Sequence, residues 1–108
     1  MAELDNNPST TVVIDTQLDP TGAQIVILSG ELDSSNVAQL EARVASITAE
    51  PSRSLIFDLT GLQFMDSAGL AVLIGVATRT SVSLRNPSPV IRRVLEATGL
   101  SAVLAIEP

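Results

Sequence analysis

The chain has 108 residues, of which 45% are hydrophobic, and a formal net charge of −6. This length fits one domain with a modest core, and six basic against twelve acidic residues leave no basic stripe for binding DNA or RNA. Because the sequence contains no His, Cys or Lys, it has no Ser–His or Ser–Lys nucleophile, no zinc site and no P-loop.

The two ends of the chain and its apolar runs bear on where the protein is located. Residues 1–10 are polar and are expected to form a flexible segment before a single domain that spans residues 11–108. No basic-then-apolar signal peptide is found, and the longest apolar run, Ala68 to Ala77, is too short to cross a bilayer. We therefore expect a cytoplasmic protein that makes no membrane contact.

The first predicted elements form a hairpin. Residues 11–18 and 24–29 are apolar enough to form two strands, and Asp19-Pro20-Thr21-Gly22 between them is a β-turn sequence. Proline presets the backbone for such a turn, and glycine tolerates a positive φ. The two strands are therefore predicted to pair antiparallel.

A first amphipathic helix follows the hairpin. Its N-terminus is predicted at one of three polar residues, Ser34, Ser35 or Asn36. Its apolar residues recur at helical spacing, namely Val37, Leu40, Val44 and Ile47. The helix is predicted to end near Glu50-Pro51.

The remaining elements alternate between strands and helices. We predict a short strand over 54–59, a turn, a helix from Ser67 to about Arg79, and a strand over 82–84. Ser88 and Pro89 begin a third helix that ends at Gly99, and residues 102–106 form a last strand. This order predicts an α/β fold, with a mixed, mostly parallel sheet of four to five strands, an N-terminal antiparallel hairpin and three or more helices.

The junction before the second helix is the most informative part of the sequence. Asp66-Ser67 begins that helix, where free N–H groups and the helix dipole favour a negative group. A serine placed there is a helix cap, a nucleophile or a phosphorylation target. The nucleophile is disfavoured because no base is available and because Met65 replaces the first glycine of a G-x-S-x-G elbow.

Three carboxylates are predicted at the same edge of the sheet. Asp33 follows the second strand, Asp58 is placed near the end of the third, and Asp66 precedes Ser67. A local alternative is that Asp66 caps the helix, Asp33 forms a cap or turn, and Asp58 accepts from a backbone N–H. Magnesium binding or acid–base chemistry by Asp58 and Asp66 is a further, weaker alternative.

The second helix is predicted to have two different faces. Leu70, Leu73, Ile74 and Ala77 form a core face. The opposite face carries small, uncharged residues: Ser67, Ala71, Gly75 and Thr78, with Ala68 and Val72 nearby. A glycine in mid-helix costs about 1 kcal/mol relative to alanine, which indicates either close packing within the domain or a smooth surface for a partner.

At this point the sequence resembles a known family. The segments that carry the likeness are Gly30-Glu31-Leu32-Asp33, Leu55-Ile56-Phe57-Asp58-Leu59, Phe64-Met65-Asp66-Ser67-Ala68-Gly69-Leu70 and Val94-Leu95-Glu96-Ala97-Thr98-Gly99-Leu100. Their ordered set looks like the STAS domain of bacterial anti-sigma-factor antagonists.

The resemblance implies a switch protein and not an enzyme. The family's phosphorylated serine corresponds to Ser67, and its neighbouring acidic positions to Asp33, Asp58 and Asp66. The unphosphorylated form would bind an anti-sigma factor that is itself the serine kinase, and a metal-dependent serine phosphatase would restore that form. The ATP and magnesium belong to the kinase, so the chain needs no cofactor or metal of its own.

The sequence therefore predicts a partner surface and leaves alternative functions open. The predicted partner-binding residues are Asp33, Asp58, Asp66, Ser67, Ala68, Ala71, Val72 and Gly75. Other STAS proteins are accessory subunits of lipid transporters or bind nucleotides, and these are the alternative functions.

Overall fold

The computed structural model describes residues 11–48, 54–100 and 104–107. Within them, five strands and three helices follow in the predicted order β-β-α-β-α-β-α-β. The elements are β1 Val12–Leu18, β2 Gln24–Leu32, α1 Val37–Ile47, β3 Leu55–Met65, α2 Ser67–Ala77, β4 Val82–Arg85, α3 Pro89–Ala97 and β5 Ala105–Ile106. The predicted flexible segment 1–10, the predicted end of α1 near Glu50-Pro51 and the start of the last predicted strand lie outside the described residues.

The five strands form one sheet in which chain neighbours are also spatial neighbours, in the order β1-β2-β3-β4-β5. β1 and β2 pair antiparallel, and all later pairs are parallel. In the hairpin turn the Gly22 N–H donates to the Asp19 carbonyl at 2.8 Å, and Gly22 has a φ of +95°. The predicted mixed sheet with an N-terminal hairpin is confirmed.

Two strands are longer than predicted, and both extensions run toward the Asp66-Ser67 junction. β2 continues to Leu32 and β3 to Met65, whereas the sequence predicts that these strands end at residues 29 and 59. Register shifts beside Gly30 and Gly61 show that they accommodate irregularities within the pairing. Gly61 also lies against Ser29, where a β-carbon would be 2.7 Å from the Ser29 hydroxyl. The turn predicted before Ser67 is therefore wrong.

The helices and one face of the sheet share a single core that is aliphatic except for the fully buried Phe57. It includes fully buried residues from each helix, such as Leu40, Leu73 and Leu95, and alternate residues of the strands. Ile25 and Ile56, which point to the other face of the sheet, belong to a separate small cluster. The core thus holds α2 against the sheet and determines which residues of that helix stay exposed.

The predicted boundaries of α3 are confirmed. The Ser88 hydroxyl accepts from the Ile91 N–H at 3.2 Å, and Pro89 is the first helical residue. Gly99 follows the helix with a φ of +75°, a conformation that favours glycine.

Candidate functional site

Asp66 caps helix α2 and thereby fixes the position of Ser67. Its backbone is extended, and its Oδ1 accepts from the N–H groups of Ala68 at 2.9 Å and Gly69 at 3.1 Å. Ser67 is the first helical residue, and its side chain is exposed. The predicted cap is confirmed at Asp66, and the capping leaves the Ser67 hydroxyl on the surface at the helix N-terminus.

The loop between β2 and α1 is organised by a buried asparagine that the sequence analysis considered only as a cap. Asn36 is 2% exposed, and its side chain donates to the Glu31 carbonyl at 2.8 Å and accepts from the Asp33 N–H at 3.0 Å. It does not cap α1 through its side chain. Asp33 in turn accepts from the Ser35 N–H at 2.9 Å. The loop is thus a tight hydrogen-bonded turn.

This loop and the N-terminus of α2 are joined directly. The Ser34 N–H donates to Asp66 Oδ2 at 3.3 Å, and the Asp66 N–H donates to the Leu32 carbonyl at 3.2 Å. The structure therefore brings Asp33 and Asp66 to the same end of the sheet, close to Ser67, as predicted.

Asp58 lies elsewhere, which corrects the prediction that it belongs to this edge. It is within β3, opposite Ile27 and Arg85 in the neighbouring strands. The stretch from Asp58 to Met65 pairs with Ile27 to Leu32 of β2, which at about 3.3 Å per residue places Asp58 roughly 16 Å from Met65. Its Oδ1 accepts from the Thr60 N–H at 3.0 Å and the Thr60 hydroxyl at 2.6 Å. The error followed from ending β3 too early. Asp58 and Asp66 therefore form no magnesium site or acid–base pair.

The face of α2 opposite the core, its outer face, is exposed as predicted. Ser67, Ala71, Gly75 and Thr78 are exposed, and Ala68 is half-buried. A β-carbon on Gly75 would have no neighbour within 4 Å, and its φ is not positive. Neither packing nor backbone geometry therefore requires glycine there, so close packing within the domain does not explain it.

Val72 does not belong to this face, which corrects its predicted position near Ala71 and Gly75. It is 8% exposed and belongs to the core. Val72 is three residues after Gly69 and four before Val76, and both of these are buried. Residues at this spacing share one side of a helix. The core-facing stripe is thus rotated toward Val72, while Ile74 and Ala77, predicted as core, are only half-buried.

Phe64 is a surface feature that the sequence analysis missed. It is 46% exposed at the end of β3 and pairs with Glu31 in β2. The signal was available, because Phe64 is one of only two aromatic residues and is three residues before Ser67. Local signals predict a turn in that segment, and a turn does not indicate an aromatic side chain exposed on a strand.

The carboxylates of the site are held by backbone hydrogen bonds and do not form a metal-binding group. Asp33 and Asp66 accept hydrogen bonds from backbone N–H groups, and no group of three His, Cys, Asp or Glu in the described part of the chain could hold a metal ion. Two perturbed groups belong to other segments. The pKa of Asp19 is lowered by its hydrogen bonds from Thr21, and the pKa of Arg85 is raised by its hydrogen bond to Glu107. None of the described helices is long and apolar enough to cross a membrane.

Known proteins are similar to this chain in sequence and in fold. The chain is 39% identical over 84 residues to an anti-sigma F factor antagonist of Lysinibacillus sphaericus, which covers 70% of each protein. The crystal structure of an anti-sigma factor antagonist from Mycobacterium paratuberculosis superposes with a TM-score of 0.81 at 25% identity, over 91% of this chain and 86% of that one.

The anti-sigma factor antagonist SpoIIAA is similar in two states. Its unphosphorylated form has a TM-score of 0.70 at 25% identity, over 89% of each chain. The fold of its phosphorylated form matches with a TM-score of 0.64 at 24% identity, over 89% of this chain and 92% of that one. The family model of the STAS domain matches residues 12–108. The chain therefore belongs to the STAS domain family.

Proposed function

We propose that this protein is an anti-sigma factor antagonist whose binding to an anti-sigma factor is switched off by phosphorylation of Ser67. The observation that carries the proposal is the exposed hydroxyl of Ser67 at the first position of α2, beside a face of small, uncharged residues. The names of the similar proteins support the same role.

The uncharged face of α2 suits close contact with a partner helix or sheet. Ala71 and Gly75 are exposed and follow Ser67 at four-residue intervals, so all three lie along one side of the helix. Small side chains let a partner backbone approach closely. Ser67 is then at the edge of the contact, where a modification is both accessible and effective.

A phosphate on Ser67 would oppose this contact by charge and by hydration. It adds about −1.5 to −2 charges, next to the carboxylate of Asp66 and close to the loop that holds Asp33. Bringing an uncharged surface or an acidic surface against such a group carries a large desolvation or repulsion cost. The switch therefore needs no change of fold.

The catalytic steps belong to the partners. The anti-sigma factor, as a serine kinase, supplies ATP and magnesium, and a serine phosphatase removes the phosphate. In this proposal, the protein is a substrate of both the kinase and the phosphatase and needs no cofactor of its own.

The test is a binding and phosphorylation assay with the candidate anti-sigma factor. The purified protein is incubated with it, with ATP and magnesium, and the product is mapped by intact-mass and peptide mass spectrometry. We expect one phosphate, on Ser67, and loss of the complex once it is added. Ser67→Ala should accept no phosphate, whereas the matched variant Ser81→Ala, at an exposed serine beyond the other end of α2, should accept it normally. Phosphate on another residue, or none from a kinase shown to be active, contradicts the proposal.

A further inference from the structure

The carboxylate of Asp66 holds two separate segments of the chain with its two oxygens. Oδ1 accepts from the first-turn N–H groups of Ala68 and Gly69, at 2.9 and 3.1 Å. Oδ2 accepts from the N–H of Ser34, in the loop between β2 and α1, at 3.3 Å. One side chain thus connects residues that are more than thirty positions apart in the sequence.

The contact at Oδ2 adds to the backbone bond from Asp66 to Leu32 in holding the loop against α2, and it does not set the internal shape of the loop. The shape comes from Asn36, whose N–H donates to the Asp33 carbonyl at 3.1 Å and whose Oδ1 accepts from the Asp33 N–H at 3.0 Å. The bond from Ser34 to Asp66 ties that preformed turn to α2. Ser34 and Ser35 are exposed next to this bond, so the turn offers its own polar surface beside Ser67.

We propose that Asp66 is a positioning residue that joins the loop 33–36 and the N-terminus of α2 into one preformed surface for the anti-sigma factor. This inference rests on the proposed function. Both oxygens of Asp66 accept hydrogen bonds within the domain, so the residue acts through the segments that it holds. A surface held in its bound shape binds more tightly because less conformational entropy is lost on association.

The substitution Asp66→Asn tests the helix cap and the contact with the loop independently. The single carbonyl oxygen of the asparagine can still cap α2, since Asn is among the best N-cap residues. Its second terminal atom is an NH2 group, which donates and cannot accept from the Ser34 N–H. Asp66→Asn should therefore keep the helix and release the loop. The matched control is Asp15→Asn, which removes the same charge from an exposed residue of β1.

The first measurement is amide hydrogen exchange by NMR on the free protein. In Asp66→Asn we expect the Ser34 amide to exchange roughly fivefold faster, as for the loss of one hydrogen bond of about 1 kcal/mol, while Ala68 and Gly69 stay protected. The second measurement is steady-state phosphorylation of Ser67. We expect the KM for the variant to rise several-fold with kcat nearly unchanged, because surface preorganisation affects binding and not phosphoryl transfer. Asp15→Asn should match the wild type in both.

Different results would contradict the positioning role of Asp66 and the proposed function of the protein. If Asp66→Asn leaves the exchange at Ser34 unchanged, or loosens the loop without raising KM, the positioning role is wrong. An equal rise of KM in Asp15→Asn would mean that net charge matters and would also overturn it. If the wild type neither binds nor accepts phosphate, the proposed function fails, and the role of this surface fails with it. Should Asp66→Asn not fold, Asp66→Ser, which also offers a single acceptor oxygen, serves for the same comparison.

Discussion

Gly69, in the first turn of α2, packs directly against Leu32 at the end of β2. A β-carbon on Gly69 would lie 3.0 Å from Leu32 Cδ2 and 2.6 Å from Met65 Cγ. The absence of a side chain at residue 69 lets the helix that carries Ser67 pack closely against the ends of both central strands, and any larger residue would force Met65 or Leu32 to move. Gly75, two turns later in the same helix, has open space around it.

The two glycines should respond oppositely to alanine. Gly69→Ala should lower the free energy of unfolding by about 1–3 kcal/mol through overpacking. Gly75→Ala should raise it by about 1 kcal/mol, since alanine favours the helix and meets nothing. Urea unfolding followed by circular dichroism measures both changes. Equal effects of the two substitutions would contradict this account of the packing of α2.

A large charged residue on the outer face of α2 should block the partner without unfolding the domain. Ala71→Arg and Gly75→Arg place a long side chain on exposed positions, so the circular dichroism spectrum should stay native while affinity for the anti-sigma factor falls at least tenfold. Ala97→Arg, an exposed position of α3, is the matched control. Native variants with unchanged affinity would show that the partner binds another surface.

Changes at Ser67 itself should test whether the switch is local. Ser67→Asp should weaken partner binding, although one carboxylate carries less charge than a phosphate. Ser67→Ala should bind and resist inactivation by the kinase. Backbone NMR shifts of the Ser67→Asp variant and of the phosphorylated protein should change in the first turn of α2 and the adjacent loop only, because a helix N-terminus tolerates negative charge. Shift changes spread across the sheet would indicate a conformational switch instead.

The purified protein should not hydrolyse ATP or GTP. Ser67 has no histidine or lysine to act as its base, and the Asp58 carboxylate is engaged by Thr60, within β3 and apart from Ser67. A phosphate-release assay at high protein concentration measures this. Steady release that disappears in Asp58→Asn would contradict the prediction and favour an enzyme.

The hairpin turn offers a pH test of local structure. Hydrogen bonds from Thr21 lower the pKa of Asp19 below its ordinary value of 3.8. Because the folded pKa is the lower one, this interaction stabilises the fold above pH 3.8, and the stabilisation is lost as pH falls through the folded pKa. An NMR titration of the Asp19 carboxyl should show a higher pKa in Thr21→Val and no change in Thr11→Val. A pKa unaffected by Thr21→Val would contradict the assignment.

Local signals in the sequence predicted most of the fold. The Pro-Thr-Gly turn, the cap at Ser88 and the glycine after α3 each depend on backbone preferences that act over a few residues, and the structure confirms them. The alternation of strands and helices after the hairpin then predicted the mixed, mostly parallel sheet. Such preferences need no knowledge of distant contacts, which is why they could be recognised.

The errors occurred where a distant contact decides the structure. Gly30 and Gly61 lie within strands because their segments pair with neighbouring strands, and glycine suits these two positions because Gly30 has a positive φ beside the Thr11 carbonyl and Gly61 packs against Ser29. Ending β3 early then placed Asp58 at the wrong site. The burial of Val72 depends on which side of α2 meets the core, and that direction is not determined by the composition of the helix. The bond from Ser34 to Asp66 likewise joins segments that no local pattern connects.

The extension of β3 beyond β4 has a consequence for local stability. β4 pairs with β3 only from Leu55 to Asp58, whereas β2 stays paired with β3 as far as Met65. In the described residues, the outer part of β3 therefore forms a narrower ladder than the centre of the sheet. The end of the sheet that carries Ser67 therefore depends for its stability on the buried side chains of Leu32, Leu62 and Met65 and on α2 packed over them, and, among the described residues, not on a third paired strand. Substitutions of these buried side chains should loosen the site before they unfold the central strands.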